Sequence, residues 1–418
     1  MSKYIIEGGR KLSGRIKLSG NKNEILPALA ACILTSDEVT LKNVPQISDV
    51  DVLAEILQRL GAYIKRDGAI LKIKCEKITK TDLPNDLVKK LRASILFVGP
   101  LLARLGKASF VFPGGDIIGR RSIDPHLEGL KKLGFVFQIR DLEYKGKRGT
   151  NGHDREIFMS ECSVTGTESM ILASVLGNIK VTIKNCASEP HISDLCQMLC
   201  QMGAKISGIG TQIIEIRGVE KLHGTTFSIC PDHIEFGTYA IAAALTGGAI
   251  EIEKKDLPDL APVTCHLKKM GINFKDKEDV IAISAKNLTA IPRLHTNIWP
   301  GFPTDLMSAV IVLATRARGM SLLHDWMYET RMFFVDKLIS MGAHIIIADP
   351  HRVLVYGPTK LTGRHMESPD IRAGMALVLA ALAASGTSVI DEAQLIERGY
   401  EDMVGKLSSL GASIKKED

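Results

Sequence analysis

The sequence predicts an α/β protein of two domains, each made of three repeats in which β-sheets enclose buried helices. The first observation behind this prediction is a short signature that recurs six times: an apolar residue, then glycine, then a β-rich run. A regular spacing of this kind indicates one supersecondary unit repeated along the chain. The signature glycines lie 68 to 73 residues apart, at Gly61, Gly134, Gly203, Gly271, Gly342 and Gly411.

The second observation is an apolar helix in every repeat. An Ala- and Leu-rich segment lies upstream of each signature glycine, and a helix that is apolar nearly all round must be enclosed by other elements. Most of these segments end at Gly or Ser, as helix C-termini prefer. They span residues 26–35, 95–105, 169–176, 239–246, 306–318 and 373–385.

The other elements of a repeat follow from the residues between these two markers. A β-branched run comes after each apolar segment, and a second helix then leads to the signature glycine, which suits the turn into a strand. One repeat is therefore predicted as helix, strand, helix, strand, strand. An α-solenoid is disfavoured because strand-like runs separate the helices of every pair.

The length divides these repeats between two domains. The 418 residues exceed the roughly 250–300 at which a single core stops growing, and the chain is 45% hydrophobic, enough to fill two cores. Six repeats over two domains give three per domain. We place the break within residues 218–231.

Composition excludes several functional classes. The net charge is only +6, aromatic residues make up 5%, and the densest basic run, residues 145–149, is typical of a loop, so no nucleic-acid partner is expected. The longest strongly apolar stretch is shorter than the roughly 20 residues of a membrane span, and no secretory signal is seen. The eight cysteines show no disulfide framework. We expect a cytoplasmic protein without a membrane partner.

Two groups of potential metal ligands do not predict a metal site. His191 with Cys196 and Cys200 lacks both a fourth ligand and a close cysteine pair, and Cys265 with His266 is no better. No nucleophilic serine or cysteine signature is present either.

Two polar segments are candidates for binding. Residues 19–24 precede the first apolar helix, where Lys22 and free backbone N–H groups would form an anion site, although a solvated capping loop is the alternative. Residues 112–126 carry three glycines and would form a mobile lid bearing Asp116 and Arg121, unless they are a plain surface loop.

Single arginines in apolar surroundings form the third candidate group. Each alone is more often a structural ion pair, but together with Lys22 and Arg121 they would make a cationic cleft for phosphates and carboxylates. They are Arg92, Arg331, Arg372 and Arg398. Asp305, before a buried helix, is either a helix cap or a general base, and its position alone favours the cap.

Taken together, these motifs resemble the UDP-N-acetylglucosamine 1-carboxyvinyltransferase family of enolpyruvyl transferases. The resemblance covers essentially the whole chain, in order. Its motifs are Gly20-Asn21-Lys22-Asn23, Pro113-Gly114-Gly115-Asp116 with Ile118, Gly119 and Arg121, Phe302-Pro303-Thr304-Asp305, Asp370-Ile371-Arg372-Ala373 and Glu397-Arg398-Gly399-Tyr400.

The resemblance implies a fold of two inside-out α/β barrels, with residues 22–229 forming the N-terminal domain and residues 1–21 and 230–418 the C-terminal domain. The active site is expected in the cleft between them. The implied reaction moves the enolpyruvyl group of phosphoenolpyruvate to the 3′-hydroxyl of UDP-N-acetylglucosamine and releases phosphate, the first committed step of peptidoglycan synthesis. No metal or organic cofactor is implied. The expected partners are these small molecules, and the chain is expected to be a monomer or a weak homo-oligomer.

The family chemistry also assigns roles to residues. Lys22, Arg121 and Arg398 would hold the phosphate, with Arg92 completing the cationic set, and Arg331 and Arg372 would hold the carboxylate. Asp305 would be the base for the hydroxyl, and either Asp116 or Lys22 would deliver a proton to the methylene carbon. The remaining substrate contacts are Asn23, Ser122, Ile123, Asp124, Pro125, Ser163, Val164, Thr165, Glu189, Met327 and Asp370.

Three positions depart from the family pattern. Most members carry Cys where this chain has Asp116, and a carboxylic acid can replace a thiol as proton donor when its surroundings keep it protonated. It cannot act as the thiolate that fosfomycin alkylates, so resistance to fosfomycin is predicted. Glu161 replaces a common Lys near the nucleotide phosphates, and His233 replaces a common Arg.

Two other functions remain to be separated from this one. The shikimate-pathway enolpyruvyl transferases share the fold and chemistry but are disfavoured, because Gly114-Gly115-Asp116 followed by Asp124-Pro125-His126 belongs to the sugar-nucleotide branch. A ring-like nucleic-acid clamp also repeats a β/α unit six times. Such a clamp needs basic inner helices, and here the helices are apolar.

Overall fold

The computed structural model describes residues 2–116, 118–119, 121–149 and 155–417. These residues fold into two compact units. The terminal unit contains residues 2–19, 118–119 and 231–417, and the internal unit contains residues 20–116, 121–149 and 155–230. The chain changes unit after Ser19 and after Cys230, and it also does so on either side of residues 118–119. Cys230 lies within residues 218–231, where the sequence suggested the break.

Within its described residues, the internal unit contains three sheets. In each sheet the strand after the buried helix pairs antiparallel with the last strand of its repeat. In the third repeat, for example, β10 (Lys180–Lys184) pairs with β12 (Ile213–Arg217), and Val181 and Ile216 point into the core. In spatial order the strands are β13 (Thr226–Ser228), β3 (Glu38–Lys42), β5 (Ile70–Lys74) and β4 (Tyr63–Asp67); β6 (Lys107–Val111), β8 (Glu143–Arg148) and β7 (Phe135–Arg140); and β11 (Lys205–Ser207), β12 (Ile213–Arg217), β10 (Lys180–Lys184) and β9 (Arg155–Phe158).

The described part of the terminal unit also contains three sheets. The N-terminal strand β1 (Lys3–Glu7) supplies the last strand of the sixth repeat. It pairs antiparallel with both β22 (Thr387–Asp391) and β23 (Ser413–Glu417). In spatial order the strands are β21 (His365–Glu367), β22 (Thr387–Asp391), β1 (Lys3–Glu7) and β23 (Ser413–Glu417); β15 (Ile272–Asp276), β16 (Val280–Ala285), β14 (Ala249–Glu253) and β2 (Ser13–Ile16); and β17 (Arg293–His295), β18 (Gly319–His324), β20 (Arg352–Gly357) and β19 (His344–Asp349).

Each repeat contributes one buried helix and one amphipathic helix, in the predicted order. In the buried helix α12 (Ile371–Ala383), for instance, every residue from Ile371 to Leu382 is buried. The buried helices are α1 (Lys22–Ala31), α4 (Val98–Leu105), α6 (Val164–Ser174), α8 (His233–Thr246), α10 (Met307–Arg316) and α12 (Ile371–Ala383). The amphipathic helices are α2 (Ser48–Leu60), α5 (Asp124–Lys132), α7 (Pro190–Gln201), α9 (Ala261–Lys269), α11 (Val335–Ser340) and α13 (Met403–Ser409), and a short α3 (Asn85–Val88) lies between β5 and α4.

The six signature glycines end the amphipathic helices, as predicted. All six have positive φ, between 95° and 113°, a backbone conformation that glycine adopts without strain. Four short 3-10 helices complete the elements: Cys32–Leu34, Arg92–Phe97, Thr304–Leu306 and Ala393–Arg398. Of the helices in the described residues, none has the length and apolar character that crossing a membrane requires.

Matching hydrogen bonds hold the chain where it enters each unit. In the internal unit Asn21 caps α1, and the Glu24 carboxylate accepts the Cys230 N–H at 3.0 Å. In the terminal unit Asp232 caps α8, and the Glu235 carboxylate accepts the Ser19 N–H at 2.7 Å. Each unit thus anchors its two connecting segments side by side.

Candidate active site

Asp305 lies between two arginines in the terminal unit. The Arg331 Nη2 donates to Asp305 Oδ1 at 3.2 Å, and Arg372 donates to Oδ2 from Nε at 3.1 Å and from Nη2 at 2.9 Å. The carboxylate caps neither the 3-10 helix that contains it nor α10. The interpretation of Asp305 as a helix cap was therefore wrong, because the two guanidinium groups take up its oxygens.

These two arginines are held in place by burial and by aromatic rings. Their side chains are 2% and 6% exposed, against 26% for Asp305. Each guanidinium stacks over a tyrosine ring, Arg331 on Tyr328 at 5.1 Å and Arg372 on Tyr400 at 5.4 Å from the ring centre. Burial alone lowers the pKa of each arginine, but the Asp305 carboxylate and weaker partners raise it by more. Both groups are therefore permanent cations.

Each of these arginines also keeps donor capacity. Among the described residues, the buried atoms Arg331 Nε and Arg372 Nη1 make no hydrogen bond of ordinary geometry, although Asp325 Oδ2 lies 4.0 Å from Arg331 Nε and the Tyr400 hydroxyl interacts with the Arg372 guanidinium. Buried charged donors nearly always have a partner in proteins, so these atoms mark a position suited to an anion. A carboxylate matches the planar geometry of guanidinium groups.

Asp370, a predicted substrate contact, is the N-cap of α12. Its Oδ1 accepts the backbone N–H of Arg372 at 2.8 Å and of Ala373 at 2.9 Å. The cap fixes the backbone from which the Arg372 side chain extends toward Asp305.

In the internal unit, contacts connect the predicted residues Arg92, Ser122 and Asp124. The Arg92 guanidinium stacks over Phe112 and donates to the Ser122 carbonyl oxygen at 2.6 Å. The Ser122 hydroxyl donates to the Asp124 carboxylate. The segment 121–125 is only partly the loop that the sequence predicted, because Asp124 and Pro125 already form the first turn of α5.

A second contact joins this segment to the other predicted sugar-binding segment. His126 Nε2 lies 3.0 Å from the Thr165 hydroxyl, and Ser163 caps α6 by accepting the Gly166 N–H. Burial, reinforced by Arg92 and Arg121, lowers the pKa of His126 to about 3. His126 is therefore neutral and links residues 121–125 to residues 163–165.

The anion site predicted at the start of α1 differs from the observed arrangement. The N–H groups of Asn23 and Glu24 donate to the Asn21 side chain, so they are not available to a ligand. Lys22 is buried, and its Nζ pairs with Asp49 Oδ2 at 2.8 Å. The segment is neither a solvated loop nor a helix terminus with free donors. Only the Lys22 charge remains as a candidate phosphate ligand.

The other predicted residues occupy the ends of elements. Asn23 lies in the first turn of α1, Glu189 immediately before α7, and Arg398 at the end of the last 3-10 helix. Asp116 and Arg121 are half-buried, and the intervening Ile117 and Arg120 lie outside the described residues. The backbone N–H of the half-buried Met327 donates to Asp325 at 3.0 Å.

Among the described residues, neither His191 with Cys196 and Cys200 nor Cys265 with His266 forms a group of three ligands that could hold a metal ion. His191 instead faces the buried Glu168 carboxylate at 3.7 Å. In the described part of the chain, ligand-type atoms of Glu24, Asp194 and Cys230 lie within 4.8 Å of one another. The Cys230 N–H already binds the Glu24 carboxylate there, and burial raises the pKa of Asp194 to about 6. The predicted absence of a metal stays a prediction.

Three residues to which the sequence analysis gave no role contact predicted site residues or their neighbours. Asp49 pairs with Lys22, His126 lies 3.0 Å from the Thr165 hydroxyl, and the fully buried Asp325 accepts the hydroxyl of Thr304, the residue before Asp305. The one available signal was position, since Asp325 directly follows a strand and His126 lies within a motif of the resemblance.

Comparison with known proteins identifies the family of this chain. The family model of EPSP synthase (3-phosphoshikimate 1-carboxyvinyltransferase) matches residues 6–407. The UDP-N-acetylglucosamine 1-carboxyvinyltransferase of Borrelia garinii subsp. bavariensis is 47% identical to this chain, covering 100% of it and 99% of the relative. The enzyme of the same name from Treponema pallidum is 44% identical and covers 100% of both chains.

Solved structures share the fold. The enolpyruvyl transferase NikO from Streptomyces tendae superimposes with a TM-score of 0.88 at 24% identity, over 99% of this chain and 98% of its own. EPSP synthase from Acinetobacter baumannii gives 0.77 at 16% identity over 100% of both chains. The prediction of an α/β fold of the enolpyruvyl transferase type is thereby confirmed, and this chain belongs to the EPSP synthase family.

Proposed function

We propose that the chain transfers the enolpyruvyl group of phosphoenolpyruvate to the 3′-hydroxyl of UDP-N-acetylglucosamine and releases phosphate. One structural observation carries this proposal: the carboxylate of Asp305 is held by two buried arginines that keep unused donors. Relatives that are 40–47% identical over the full length and bear the name of this reaction support the choice of substrates.

The carboxylate of phosphoenolpyruvate binds Arg331 and Arg372 in this proposal. Their remaining donors, Nε and Nη1, are buried, so an anion there gains charge-assisted hydrogen bonds in a site of low dielectric constant. Lys22, Arg121 and Arg398, with Arg92, hold the phosphate. Lys22 can do so only by leaving or sharing its contact with Asp49.

The reaction proceeds by addition and elimination. Asp305 takes the proton of the sugar hydroxyl, whose oxygen bonds to C2 of phosphoenolpyruvate while C3 gains a proton and becomes a methyl group. C3 then loses a proton, the C2–O bond to phosphate breaks, and the enolpyruvyl ether and phosphate leave. Asp116 or Lys22 supplies the proton to C3. The position of Asp305 between two cations stabilises its charged form before the substrate binds.

The remaining predicted contacts serve the nucleotide sugar. The two segments that His126 connects, residues 121–125 and 163–165, bind it together with Asn23 and Glu189. Met327 and Asp370 are further contacts of this substrate.

We also propose that each unit forms an inside-out barrel, supported by three sheets and three buried helices in each. The cytoplasmic location and the monomeric or weakly associated state remain predictions from the sequence.

Phosphate release tests the reaction. Purified protein with phosphoenolpyruvate and UDP-N-acetylglucosamine is expected to release phosphate, and the same protein with shikimate 3-phosphate is expected to release none. Asp116→Ala is expected to abolish most of the release if Asp116 is the proton donor. Release with shikimate 3-phosphate alone would instead assign the chain to the shikimate reaction, and release with neither acceptor would refute the proposal.

The carboxylate at position 116 also predicts resistance to fosfomycin. Alkylation by this compound needs a soft thiolate, and Asp116 has none to offer. The wild-type protein is expected to keep its activity after prolonged incubation with fosfomycin, whereas Asp116→Cys is expected to lose activity with time. Irreversible, time-dependent inactivation of the wild type would contradict this proposal.

A further inference from the structure

A fully buried carboxylate lies behind the Asp305 site. Asp325 directly follows β18 and has 0% exposure. Its Oδ1 accepts the Met327 N–H at 3.0 Å and the Thr296 hydroxyl at 3.2 Å, and its Oδ2 accepts the Thr304 hydroxyl. A buried charge with this many donors is held in one orientation.

The backbone of Asp325 is fixed as well. Its N–H donates to the carbonyl oxygen of His351 at 2.9 Å, and His351 Nδ1 donates to the Asp325 carbonyl oxygen at 2.7 Å. Thr304 immediately precedes Asp305 in the chain. Through the Thr304 hydroxyl, Asp325 therefore supports the turn that presents the proposed base.

Asp325 also contributes a charge to the site. Its Oδ2 lies 4.0 Å from Arg331 Nε, the donor without an acceptor among the described residues. The charged and titratable groups that face Arg331 are Asp305, Asp325, Asp370 and Tyr328. Arg331 is thus a buried cation among three carboxylates: Asp305 at the proposed reacting position, Asp370 at the N-cap of α12, and the fully buried Asp325 on the side of its Nε.

The groups that face Asp305 complete the charge balance. Among them are Arg331 and Arg372, which bind it, and His233, whose pKa is lowered by burial. When Asp305 takes a proton it loses its charge, and the negative charges that then remain around Arg331 are the bound carboxylate, Asp370 and Asp325. Of these, Asp325 is fully buried and lies 4.0 Å from Arg331 Nε.

We propose that Asp325 is a positioning residue that balances the charge of Arg331 while Asp305 takes the proton of the sugar hydroxyl. The inference rests on the proposed function, since it requires Asp305 to act as a base. Without the charge of Asp325, the two arginines would hold the Asp305 carboxylate more tightly in its charged form. Asp305 would then remain ionised to lower pH and would accept a proton less readily.

The test compares three variants with the wild type by phosphate release at saturating substrates across the pH range. Asp325→Asn keeps the shape and one acceptor oxygen but removes the charge. Asp325→Glu restores the charge, and Thr296→Val removes one hydrogen bond to Asp325 while leaving its charge. Ionisation of the substrates is common to all four proteins and cancels in the comparison.

For Asp325→Asn we expect kcat to fall about three- to ten-fold and the acidic limb of its pH profile to move down by about one pH unit. Thr296→Val is expected to keep the wild-type profile, although its melting temperature falls. Asp325→Glu is expected to return the limb toward the wild-type position. If Asp325→Asn does not fold, Asp325→Ser removes the same charge and its profile is read in the same way.

The outcomes separate the inference from the proposed function. No phosphate release by the wild type with either acceptor would refute the function. An active wild type with an unshifted profile in Asp325→Asn, or an equal shift in Thr296→Val, would overturn the role of Asp325 while leaving the function intact.

Discussion

Asp305 shows how strongly a residue depends on its neighbours. Its place before a buried helix suggested a cap, yet α10 begins two residues later without any side-chain cap. The two arginines that bind Asp305 come from positions 331 and 372, far along the chain. Charge complementarity between distant residues, and not local helix geometry, decides what this carboxylate does.

Replacing the proposed base tests that assignment at the residue scale. Asp305→Asn keeps the size of the side chain but removes its capacity to take a proton. We expect kcat to fall by about 10²–10⁴, measured as phosphate release at saturating substrates. Asp276→Asn, which changes an exposed carboxylate paired with Lys254, is the matched control and is expected to leave kcat unchanged. Equal kcat in both variants would mean that another group removes the proton.

The guanidinium of Arg372 is predicted to be irreplaceable by an ammonium. Arg372 donates to Asp305 Oδ2 from two nitrogens, Nε and Nη2, and has a third nitrogen, Nη1, for an anion. Lysine carries all its donors on one nitrogen and cannot reproduce this spacing. Arg372→Lys is expected to raise KM for phosphoenolpyruvate at least about tenfold, measured in initial-rate assays with the sugar nucleotide saturating. Arg352→Lys, at an exposed pair with Asp349, should behave like the wild type. An unchanged KM in Arg372→Lys would show that the carboxylate binds elsewhere.

At the scale of elements, the turn after each amphipathic helix needs a glycine because its backbone has a positive φ. Gly271 has φ +95°, and a Cβ there would lie 2.2 Å from the carbonyl oxygen of Asn287. The turn therefore needs both the left-handed conformation and the missing side chain. The positive φ is shared by all six signature glycines and explains why glycine recurs at the end of each amphipathic helix, whereas a backbone oxygen this close to the added Cβ is found also at Gly61 but not at Gly203 or Gly411.

Two glycine variants separate strain from crowding. In Gly247→Ala the only cost is the backbone strain of an alanine at φ +64°, because no atom lies within 4 Å of the added Cβ. It is expected to lower the free energy of unfolding by about 1–2 kcal/mol. Gly271→Ala adds a backbone clash and is expected to cost at least about 1 kcal/mol more. Denaturant unfolding of both variants measures the difference, and equal losses would show that the turn at Gly271 relaxes.

Helix caps also connect elements to the site. Asp370 caps α12 through the N–H groups of Arg372 and Ala373. The sequence predicts that the same residue binds substrate, and this contact stays a prediction. A cap at this position sets where the guanidinium of Arg372 starts.

At the scale of the whole molecule, buried ionisable groups make stability depend on pH. His126 is buried and neutral, with a pKa lowered to about 3 by burial. In the unfolded chain a histidine takes a proton near pH 6.5. Between these two values the unfolded state binds more protons than the folded state, so stability falls as the pH is lowered through this range.

The variant His126→Gln tests this contribution. The wild-type free energy of unfolding is expected to lose up to about 1.4 kcal/mol per pH unit from this group below pH 6.5. In His126→Gln that part of the slope is expected to disappear, measured by denaturant unfolding at pH 7.0 and 5.5. His365→Gln, which changes an exposed histidine, should retain the wild-type slope. Parallel slopes in the wild type and His126→Gln would contradict the assignment.

The sequence by itself determined the repeat. The glycine spacing and the apolar helix segments predicted six units of helix, strand, helix, strand, strand. The described residues have these elements in this order, because backbone conformation and hydrophobic periodicity are local properties. They also have a short strand before five of the six buried helices, which the sequence analysis did not predict: β2, β9, β13, β17 and β21. The motif residues also predicted the family. Single residues such as Lys22 and Asp305 could be marked as polar and unusual, but their partners could not be read from the chain.

Only the tertiary structure decided those partners. Lys22 with Asp49, His126 with Thr165, and Asp305 with its two arginines are pairs that are separated by 26 to 67 residues. The role proposed for Asp325 could not be predicted from the sequence for the same reason. A carboxylate after a strand is common, and Asp325 differs from others only in being buried beside Thr304 and Arg331. Electrostatic and hydrogen-bond energies depend on the distance between two groups in space. For residues far apart in the chain, that distance is fixed only when the repeats pack together.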